Sequence, residues 1–328
     1  MSVARAIAAA LLALASVGLL WALFVEPTPP PAPTRAFESS RQCAECHAEV
    51  YAEWQASWHA QSWVDPEVRA QSNDFQNADC IDCHAPRPIL ETGLGQRVLP
   101  RSTRRVEGVD CIACHQLPDG RMAGTLDDAS AACRPSAARE LLDPGFCAGC
   151  HDQHGTVQQW RATPFAEPGP GFRNCVDCHM PFREGDPTRG RSHVMHGGHD
   201  PELVRAAVEL RVEREGAAWR VEVENVAAGH NFPTDERSRA ADLFWRPLGD
   251  GGPWRHLFRF RNPYRFEVGL PDTELPFGQV HTSRIDDPAA AGGVEVALFY
   301  KLTPLWEDPQ RPDPEREATL VSRVERAP

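Results

Sequence analysis

The stretch "CAECHAEVYAEWQASWHAQSW", residues 43–63, begins with two cysteines three positions apart and a histidine directly after the second cysteine. Side chains three residues apart share one face of a helical turn, so both sulfur atoms can reach the same bound group. The stretch ends in a tryptophan-rich segment that holds a second histidine, His59. It therefore combines a covalent attachment pattern with a further candidate metal ligand.

The Cys-x-x-Cys-His pattern occurs five times and uses ten of the eleven cysteines. This spacing is the attachment signature of c-type haem, in which two cysteines form thioethers and the histidine binds the iron. The sequence therefore predicts five covalently bound haem c groups. The attachment residues are Cys43, Cys46, Cys80, Cys83, Cys111, Cys114, Cys147, Cys150, Cys175 and Cys178, and the proximal iron ligands are His47, His84, His115, His151 and His179.

Two other interpretations of the cysteines, zinc binding and disulfide formation, compete with haem attachment. Paired cysteines with histidine also bind zinc, and paired cysteines also form disulfides. Neither use requires a histidine directly after every second cysteine, so haem is favoured. Cys133 lies outside the pattern and is predicted to be a spectator thiol.

Each haem iron has a second axial position, and histidines outside the motifs are candidates for it. If residues 47–63 form one helix, His59 lies about 18 Å along its axis from His47, so it would bind the iron of another motif. His154 follows His151 too closely to reach the opposite face of the same haem, and it too would bind another iron.

Further candidates lie later in the chain. His193, His196 and His199 share a glycine-containing loop that is predicted to lie over haems. His230 follows a glycine at the end of a predicted strand, where it would point toward the haem region. The other histidines outside the motifs, His256 and His281, fall within strand-like runs and are not predicted to be ligands.

Composition divides the chain into two parts. Its 328 residues predict two domains, and its formal net charge of −12 argues against a nucleic-acid partner. Residues 39–200 hold all five motifs at intervals of 28 to 37 residues, with few sustained apolar periodicities. We expect this part to be a haem-packed domain of short helices and loops, in which the porphyrins supply the apolar mass.

Residues 201–328 show the alternation typical of β-strands. "ELRVEREGAAWRVEVENV" alternates on both sides of Glu215 and Gly216, which predicts a hairpin. Further runs at 241–245, 254–261, 294–301 and 318–325 predict an antiparallel β-sandwich-like domain, and a loose set of β-arms is the alternative. The fold class is therefore α + β multidomain.

The N-terminus carries an apolar run from Ala6 to Val25 that is long enough to span a bilayer. We expect residues 1–25 to be an uncleaved signal anchor and residues 26–38 to be a proline-rich linker. Arg5 on the short side predicts that the body lies on the periplasmic side of the bacterial inner membrane. Cleavage to a soluble, exported form is the alternative.

Several segments resemble one known family. They are "CAECHAEVYAEWQASWHAQS", "CHDQHG", "CHMP", "RSHVMHGGHD" and "NVAAGHNFPTD". Together, over residues 40–235, they resemble the multihaem cytochrome c group related to cytochrome c554, in the version with a C-terminal β-domain. The resemblance implies that the distal ligands include His59, His193, His199 and His230. With His154 there are five candidates for five haems, while His196 stands where relatives often have a residue that is not a ligand.

The expected function follows from the number of axial ligands, because two histidines on each iron give an electron carrier and an open position gives a site for chemistry. We expect single electrons to pass along five bis-histidine haems between a membrane-side donor and redox partners, which are other cytochromes or a quinol-linked complex. No catalytic residue is predicted, and an electron carrier is favoured over an enzyme.

Three alternatives remain open. They are an oxidoreductase for nitrogen or sulfur oxyanions with one open haem, a membrane quinol dehydrogenase subunit, and a docking module that uses the β-domain. All five motifs end in histidine, and the single lysine, Lys301, lies far along the chain from them. This argues against the lysine-ligated active haem of pentahaem nitrite reductases.

Overall fold

The structure is a computed structural model that describes residues 36–234, 237–249, 251–264 and 266–328. The predicted anchor at 1–25 and the linker up to residue 35 lie outside the described residues. Within those ranges, no helix combines the length and apolar character needed to cross a bilayer.

The N-terminal part consists of short helices joined by loops, as the sequence predicts. Its α-helices are α1 Ala48–Ala56, α2 Trp58–Gln61, α3 Pro66–Gln71, α4 Ala78–His84, α5 Ile89–Thr92, α6 Cys111–His115, α7 Pro144–His151, α8 Thr156–Arg161, α9 Cys175–His179 and α10 Pro201–Ala207. Short 3₁₀ helices span Ser40–Glu45, Arg105–Glu107, Arg139–Leu142, Pro164–Ala166, Arg183–Gly185 and Pro187–Arg189. A two-residue parallel pair, β1 Ala123–Gly124 and β2 Ser136–Ala137, lies among them.

Four of the five motifs lie on helices that end at the motif histidine, and a short polar side chain caps each of these helices. The N-cap residues are Asn77, Asp110, Asp143 and Asn174, and each accepts a hydrogen bond from a backbone N–H of the first turn. Such caps satisfy N–H groups that have no partner within the helix. The first motif differs, since Cys43 lies in the 3₁₀ helix Ser40–Glu45.

Residues 47–63 do not form one helix. Helix α1 ends at Ala56, and Ser57 is extended, with φ −81° and ψ 159°. The Ser57 hydroxyl then accepts a hydrogen bond from the backbone N–H of Ala60 and so begins α2. Serine stabilises a helix start better than a helix interior because its hydroxyl competes for backbone groups. His59 therefore lies on a separate helical turn from Trp54.

The C-terminal part is a pair of antiparallel sheets. Its strands are β3 Val208–Glu215, β4 Ala218–Asn225, β5 Ala240–Pro247, β6 Arg255–Phe260, β7 Val280–Ile285, β8 Val294–Lys301 and β9 Thr319–Arg326, with a 3₁₀ turn at Pro288–Ala290 and a short helix, α11, at Pro314–Glu317. The sheet orders are β3-β4-β7 and β6-β5-β8-β9. The predicted hairpin is confirmed, because Glu215 pairs with Ala218 across its turn.

A hydrophobic core lies between the two sheets. Its central residues include Trp219, Val221 and Val223 of β4 and Leu243 and Leu298 of the larger sheet, and all are buried. The indole N–H of Trp219 donates to the carbonyl of Ala290 at 3.0 Å, which satisfies the one polar atom of that side chain. This arrangement confirms an α + β chain with a β-sandwich-like C-terminal part.

Candidate functional site

Hydrogen bonds to backbone carbonyl groups orient three of the motif histidines. In His84, the Nδ1 atom lies 2.7 Å from the carbonyl oxygen of Ser62. In His115 it lies 2.8 Å from the carbonyl oxygen of Ala123, and in His179 it lies 2.6 Å from that of His196. A carbonyl oxygen only accepts, so Nδ1 must carry the proton in each ring. Nε2 then presents its lone pair, which is the state required to bind a metal.

Three motif histidines face a second histidine from a distant part of the chain. The ring centroids are 6.1 Å apart for His151 and His59, 6.1 Å apart for His115 and His193, and 6.2 Å apart for His179 and His230. The ring planes of these pairs meet at 52°, 32° and 10°. The structure thus brings three of the predicted distal ligands next to predicted proximal ligands.

These separations fit one iron between each pair of rings. An imidazole nitrogen binds a first-row metal at about 2 Å, and the ring centre lies about 1.1 Å behind that nitrogen, so two rings on one metal have centroids about 6 Å apart. Direct stacking would bring the rings closer, as in the stack of Trp58 on His199 at 3.7 Å. The residues present therefore fit haem iron.

Burial favours the neutral form of three of the paired imidazoles. It lowers the pKa of His59 to about 4, with a further contribution from the nearby His151 and His179. It also lowers the pKa of His193 to about 4, helped by His115, and it lowers the pKa of His115 itself. A neutral imidazole is the form that ligates a metal, so these side chains are competent ligands at neutral pH.

The candidate distal ligand His193 is held from both sides. Its backbone N–H donates to Glu53 Oε2 at 2.8 Å, and its Nδ1 lies 3.0 Å from the Arg191 carbonyl oxygen. Arg183 binds both carboxylate oxygens of Glu53, at 2.7 and 2.6 Å, and this hydrogen-bonded pair lowers the pKa of Glu53. Helix α1, which carries Glu53, thus fixes a loop 140 residues further along the chain.

The candidate distal ligand His230 is fixed by the end of β4. The side-chain amide of Asn225 donates to the His230 carbonyl at 2.7 Å and to the Leu275 carbonyl at 2.9 Å. The His230 Nδ1 atom lies 2.8 Å from the Asn231 carbonyl oxygen. The β-sandwich part therefore supplies a ligand candidate to a motif of the N-terminal part.

The backbone of His59 is held by the loop that precedes the third motif. The N–H of Val109 donates to the His59 carbonyl at 2.9 Å, and Gly108 packs against the same carbonyl. On the ring itself, Nδ1 contacts the Sδ atom of Met195 at 2.7 Å. Sequence reasoning missed Met195, because only the histidines of "SHVMHGGHD" were considered as site residues.

The other distal candidates lie elsewhere in the described ranges. His199 stacks on Trp58, and His196 bonds through Nδ1 to the Asp200 carboxylate. His154 follows Gln153, whose amide donates to Cys83 Sγ at 3.3 Å, which brings this turn to the second motif. Within the described residues, no ring contact places His154, His196 or His199 opposite His47 or His84.

Cysteines of different motifs also meet. All eleven cysteines are free thiols in the structure. Cys43 hydrogen-bonds to Cys111, and this bond lowers the pKa of Cys111 and raises that of Cys43. Cys147 hydrogen-bonds to Cys175 in the same way and lowers the pKa of Cys175 to about 7. The first and third attachment sites are therefore adjacent, and so are the fourth and fifth.

Part of the chain matches a known family. The family model for cytochrome c554 and c-prime matches residues 42–116, the segment that contains the first three motifs. This segment is similar to the cytochrome c family, and the match supports covalently bound haem c and a role in electron transfer. The match does not extend to the β-sandwich part.

No curated protein matches the chain. Among solved structures, a superoxide reductase from Nanoarchaeum equitans is 15% identical with a TM-score of 0.21, over 39% of this chain and 94% of that one. A second superoxide reductase, in the oxidised state, is 16% identical with a TM-score of 0.19, over 29% and 75% of the two chains. A hypothetical protein from Pyrococcus horikoshii OT3 is 18% identical with a TM-score of 0.17, over 29% and 76%. These scores are too low to support an argument about fold or function.

Proposed function

We propose that the protein is a pentahaem c-type cytochrome that carries single electrons along a chain of bis-histidine haems. The observation that carries the proposal is the set of three imidazole pairs at 6.1 to 6.2 Å, each joining a motif histidine to a histidine far away in sequence. Five attachment motifs in one chain set the number of haems. Haem c supplies a one-electron iron couple when it is bound.

The protein's own residues hold and orient these groups. In the three pairs, His59, His193 and His230 would close the second axial position opposite His151, His115 and His179. Closed irons have no vacant position for a substrate, which favours electron transfer over chemistry. Backbone carbonyl groups that accept from Nδ1 fix the rings of His115, His179, His193 and His230, so little reorganisation of these rings is needed when the charge of the iron changes.

The contacts between motifs support a continuous route for electrons. Cys43 meets Cys111, and Cys147 meets Cys175. Gln153, two residues beyond the fourth motif, reaches Cys83 of the second motif. Because these contacts join attachment sites of different haems, neighbouring haems would lie edge to edge, and an electron could pass between them within the protein.

The proposal also includes location and partners. Haem c is attached outside the bacterial cytoplasm, and the apolar run Ala6–Val25 would anchor the body on the periplasmic side of the inner membrane. The formal charge of −12 favours docking to basic patches on redox proteins. Membrane fractionation of cells tests the anchor: when a cleavable signal peptide replaces residues 1–25, the cytochrome should still be exported and should be released from the membrane.

Haem number and spin state, measured on one sample, test the central proposal. A pyridine haemochrome assay should give five haem c per chain, and low-temperature electron paramagnetic resonance of the oxidised protein should show low-spin iron. Substantially fewer than five haems would contradict the pentahaem assignment. A strong high-spin ferric signal would contradict complete bis-histidine ligation.

One observation favours a second candidate, an oxidoreductase with an open haem. The ring contact of His84 is with Phe75, at a centroid distance of 5.5 Å, and Phe75 stacks on Trp63 at 4.0 Å. A phenylalanine cannot ligate iron, so an imidazole would have to come from elsewhere to close this centre. An open position at His84 would bind small molecules.

Removal of single attachment sites separates the two candidates. If a high-spin signal exists, the double variant Cys80→Ala with Cys83→Ala should abolish it, because that variant lacks the haem held by His84. The matched variant Cys175→Ala with Cys178→Ala should retain it. A low-spin spectrum in the unaltered protein removes the second candidate.

A further inference from the structure

We infer that Met195 keeps the reduction potential of one centre, the haem held by His151 and His59, above the value that a backbone carbonyl acceptor would give, because its thioether is a weaker hydrogen-bond acceptor for His59. The inference deepens the proposed function and rests on it, because it takes these two histidines as axial ligands of one iron. It concerns a residue that positions and polarises a ligand and is not itself a ligand.

The contact between Met195 and His59 is direct. The Sδ atom of Met195 lies 2.7 Å from Nδ1 of His59. A thioether sulfur has no proton to donate, so the hydrogen bond requires the proton to be on Nδ1. Nε2 then carries the lone pair that faces the ring of His151, 6.1 Å away between centroids. Met195 therefore selects the tautomer of His59 that can ligate iron.

The acceptor at His59 differs in kind from the acceptors at the other ligand histidines. Five Nδ1 atoms lie 2.6 to 3.0 Å from backbone carbonyl oxygens, in His84, His115, His179, His193 and His230. A thioether sulfur is a much weaker acceptor than a carbonyl oxygen. His59 is thus polarised less by its partner than these five rings are.

The weaker acceptor changes the balance between the two iron states. A strong acceptor on Nδ1 pulls the proton away from the ring and makes Nε2 a more basic ligand, which favours ferric iron. A weak acceptor leaves Nε2 less basic and favours ferrous iron. The centre of His59 and His151 would therefore be reduced at a higher potential than if its acceptor were a carbonyl group, and electrons on the chain would tend to collect there.

The backbone at Met195 supports a specific role for this contact. Met195 has φ +55°, a left-handed conformation that costs a residue other than glycine about 1–2 kcal/mol. The next residue fixes this conformation, because the N–H of His196 donates to the His179 carbonyl at 3.0 Å and its carbonyl accepts from His179 Nδ1. Strained positions persist where the surrounding contacts hold them, as they do here.

Two substitutions test the inference. The acceptors at the other five rings are backbone atoms that no substitution removes, whereas Met195 acts through its side chain. Met195→Gln offers an amide oxygen, a strong acceptor, in place of sulfur. Met195→Leu keeps an apolar side chain of similar volume and offers no acceptor. Met180→Gln makes the same chemical change at another half-buried methionine and serves as the matched control.

The measurement is a potentiometric titration followed by low-temperature electron paramagnetic resonance, with haem content measured on each sample. In Met195→Gln, the equilibrium constant for reduction of one centre should fall about tenfold, a shift of about 59 mV for one electron. The other centres should keep their potentials. Met195→Leu should show no such fall, and Met180→Gln should leave the His151 centre unshifted.

The outcomes separate this inference from the proposed function. If the His151 centre has the same reduction potential in Met195→Gln and Met195→Leu, the role of Met195 is overturned while the low-spin cytochrome remains. If the unaltered protein lacks low-spin iron at the His151 centre, the proposed ligation itself fails and Met195 has no such centre to tune.

Discussion

At the candidate ligand histidines, one hydrogen bond decides which ring nitrogen would be available to an iron. In His84, His115 and His179 the acceptor is the carbonyl oxygen of a residue outside the helix that carries the histidine. The segment that holds this residue therefore has to be in place before the ring is oriented. This explains why short attachment helices can present their histidines in a single orientation.

His230 offers the clearest test of a distal ligand, because its ring is nearly parallel to that of His179, at 10°. His230→Ala should open the iron held by His179, so we expect one haem in five to become high-spin and to bind carbon monoxide after reduction. Added imidazole should restore the low-spin state. His256→Ala, a change at an exposed histidine bonded to Asp242, should leave all the haems low-spin. An unchanged spin state in His230→Ala would exclude this ligation.

At the scale of elements, the attachment helices are too short to be stable on their own, since isolated helices below about 12 residues are marginal in water. Caps and buried ion pairs hold them instead. Asp110 is buried and caps α6 through the N–H of Ala113 at 2.7 Å. It also pairs with Arg104 at 2.6 Å and with the buried Arg101 at 3.5 Å. One carboxylate thus connects the third motif to the loop before it.

Replacing Asp110 should therefore be costly. Asp110→Ala removes the cap and leaves Arg101 buried without a countercharge, so we expect a loss of about 3 kcal/mol or more in the free energy of unfolding. Guanidinium unfolding of the haem-loaded protein measures this. Asp119→Ala breaks an exposed pair with Arg121 and should cost at most about 1 kcal/mol. Equal losses in the two variants would contradict the assigned role.

Gly108 has no room for a side chain. It has φ +59°, and an added Cβ would overlap the His59 carbonyl oxygen and lie 2.8 Å from the Ala60 carbonyl oxygen. Gly108→Ala should therefore displace α2, cost more than about 1 kcal/mol in stability and alter the spectrum of the haem that His59 ligates. Thermal unfolding and electron paramagnetic resonance check both effects.

Gly120 provides the matched control for Gly108. It also has positive φ, +81°, but an added Cβ would meet no atom within 4 Å. Gly120→Ala should show only the modest cost of an unfavourable backbone conformation and no change in the haem spectrum. A spectral change in both variants, or in neither, would refute the link between Gly108 and His59.

At the scale of the whole molecule, a half-buried carboxyl group bridges the two parts. Glu274, from the β-sandwich part, accepts hydrogen bonds from Gln159 of α8 at 3.1 Å and from Asn231 at 3.0 Å. Gln159 also accepts from Thr234 at 2.6 Å. Burial raises the pKa of Glu274 from 4.5 to about 7, and the nearby Asp272 adds to the shift. The hydrogen bonds from Asn231 and Gln159 lower the pKa of Glu274, but burial outweighs them, so folding favours protonated Glu274.

This shift gives stability a dependence on pH. In the unfolded chain Glu274 loses its proton near pH 4.5, whereas in the folded protein it holds the proton up to about pH 7. The free energy of unfolding should therefore fall between these values as pH rises, by up to about 3 kcal/mol. Glu274→Gln should show a smaller fall from pH 5 to pH 8 in thermal unfolding, while the exposed control Glu140→Gln should match the unaltered protein. Identical pH profiles for the two variants would refute this assignment.

Sequence predicted the attachment sites because their chemistry is local. Two cysteines and a histidine within five residues define a site on one helical turn, and alternating residues defined the hairpin of β3 and β4 in the same way. Spacing also predicted that His59 would bind the iron of a motif other than the one that ends at His47. Residues 47–63 do not form one helix, because Ser57 caps a new helix. A serine can either continue a helix or cap the next one, and local pattern does not decide between them.

The amino-acid sequence by itself determined that this chain carries five attachment motifs of c-type haem, a β-rich C-terminal part and more histidines than the motifs use. Only the tertiary structure decided that His59 meets His151, His193 meets His115 and His230 meets His179, and that Met195 contacts His59. The physical reason is distance along the chain. Each of these contacts joins residues about 50 to 140 positions apart, and their meeting depends on the packing of every loop between them.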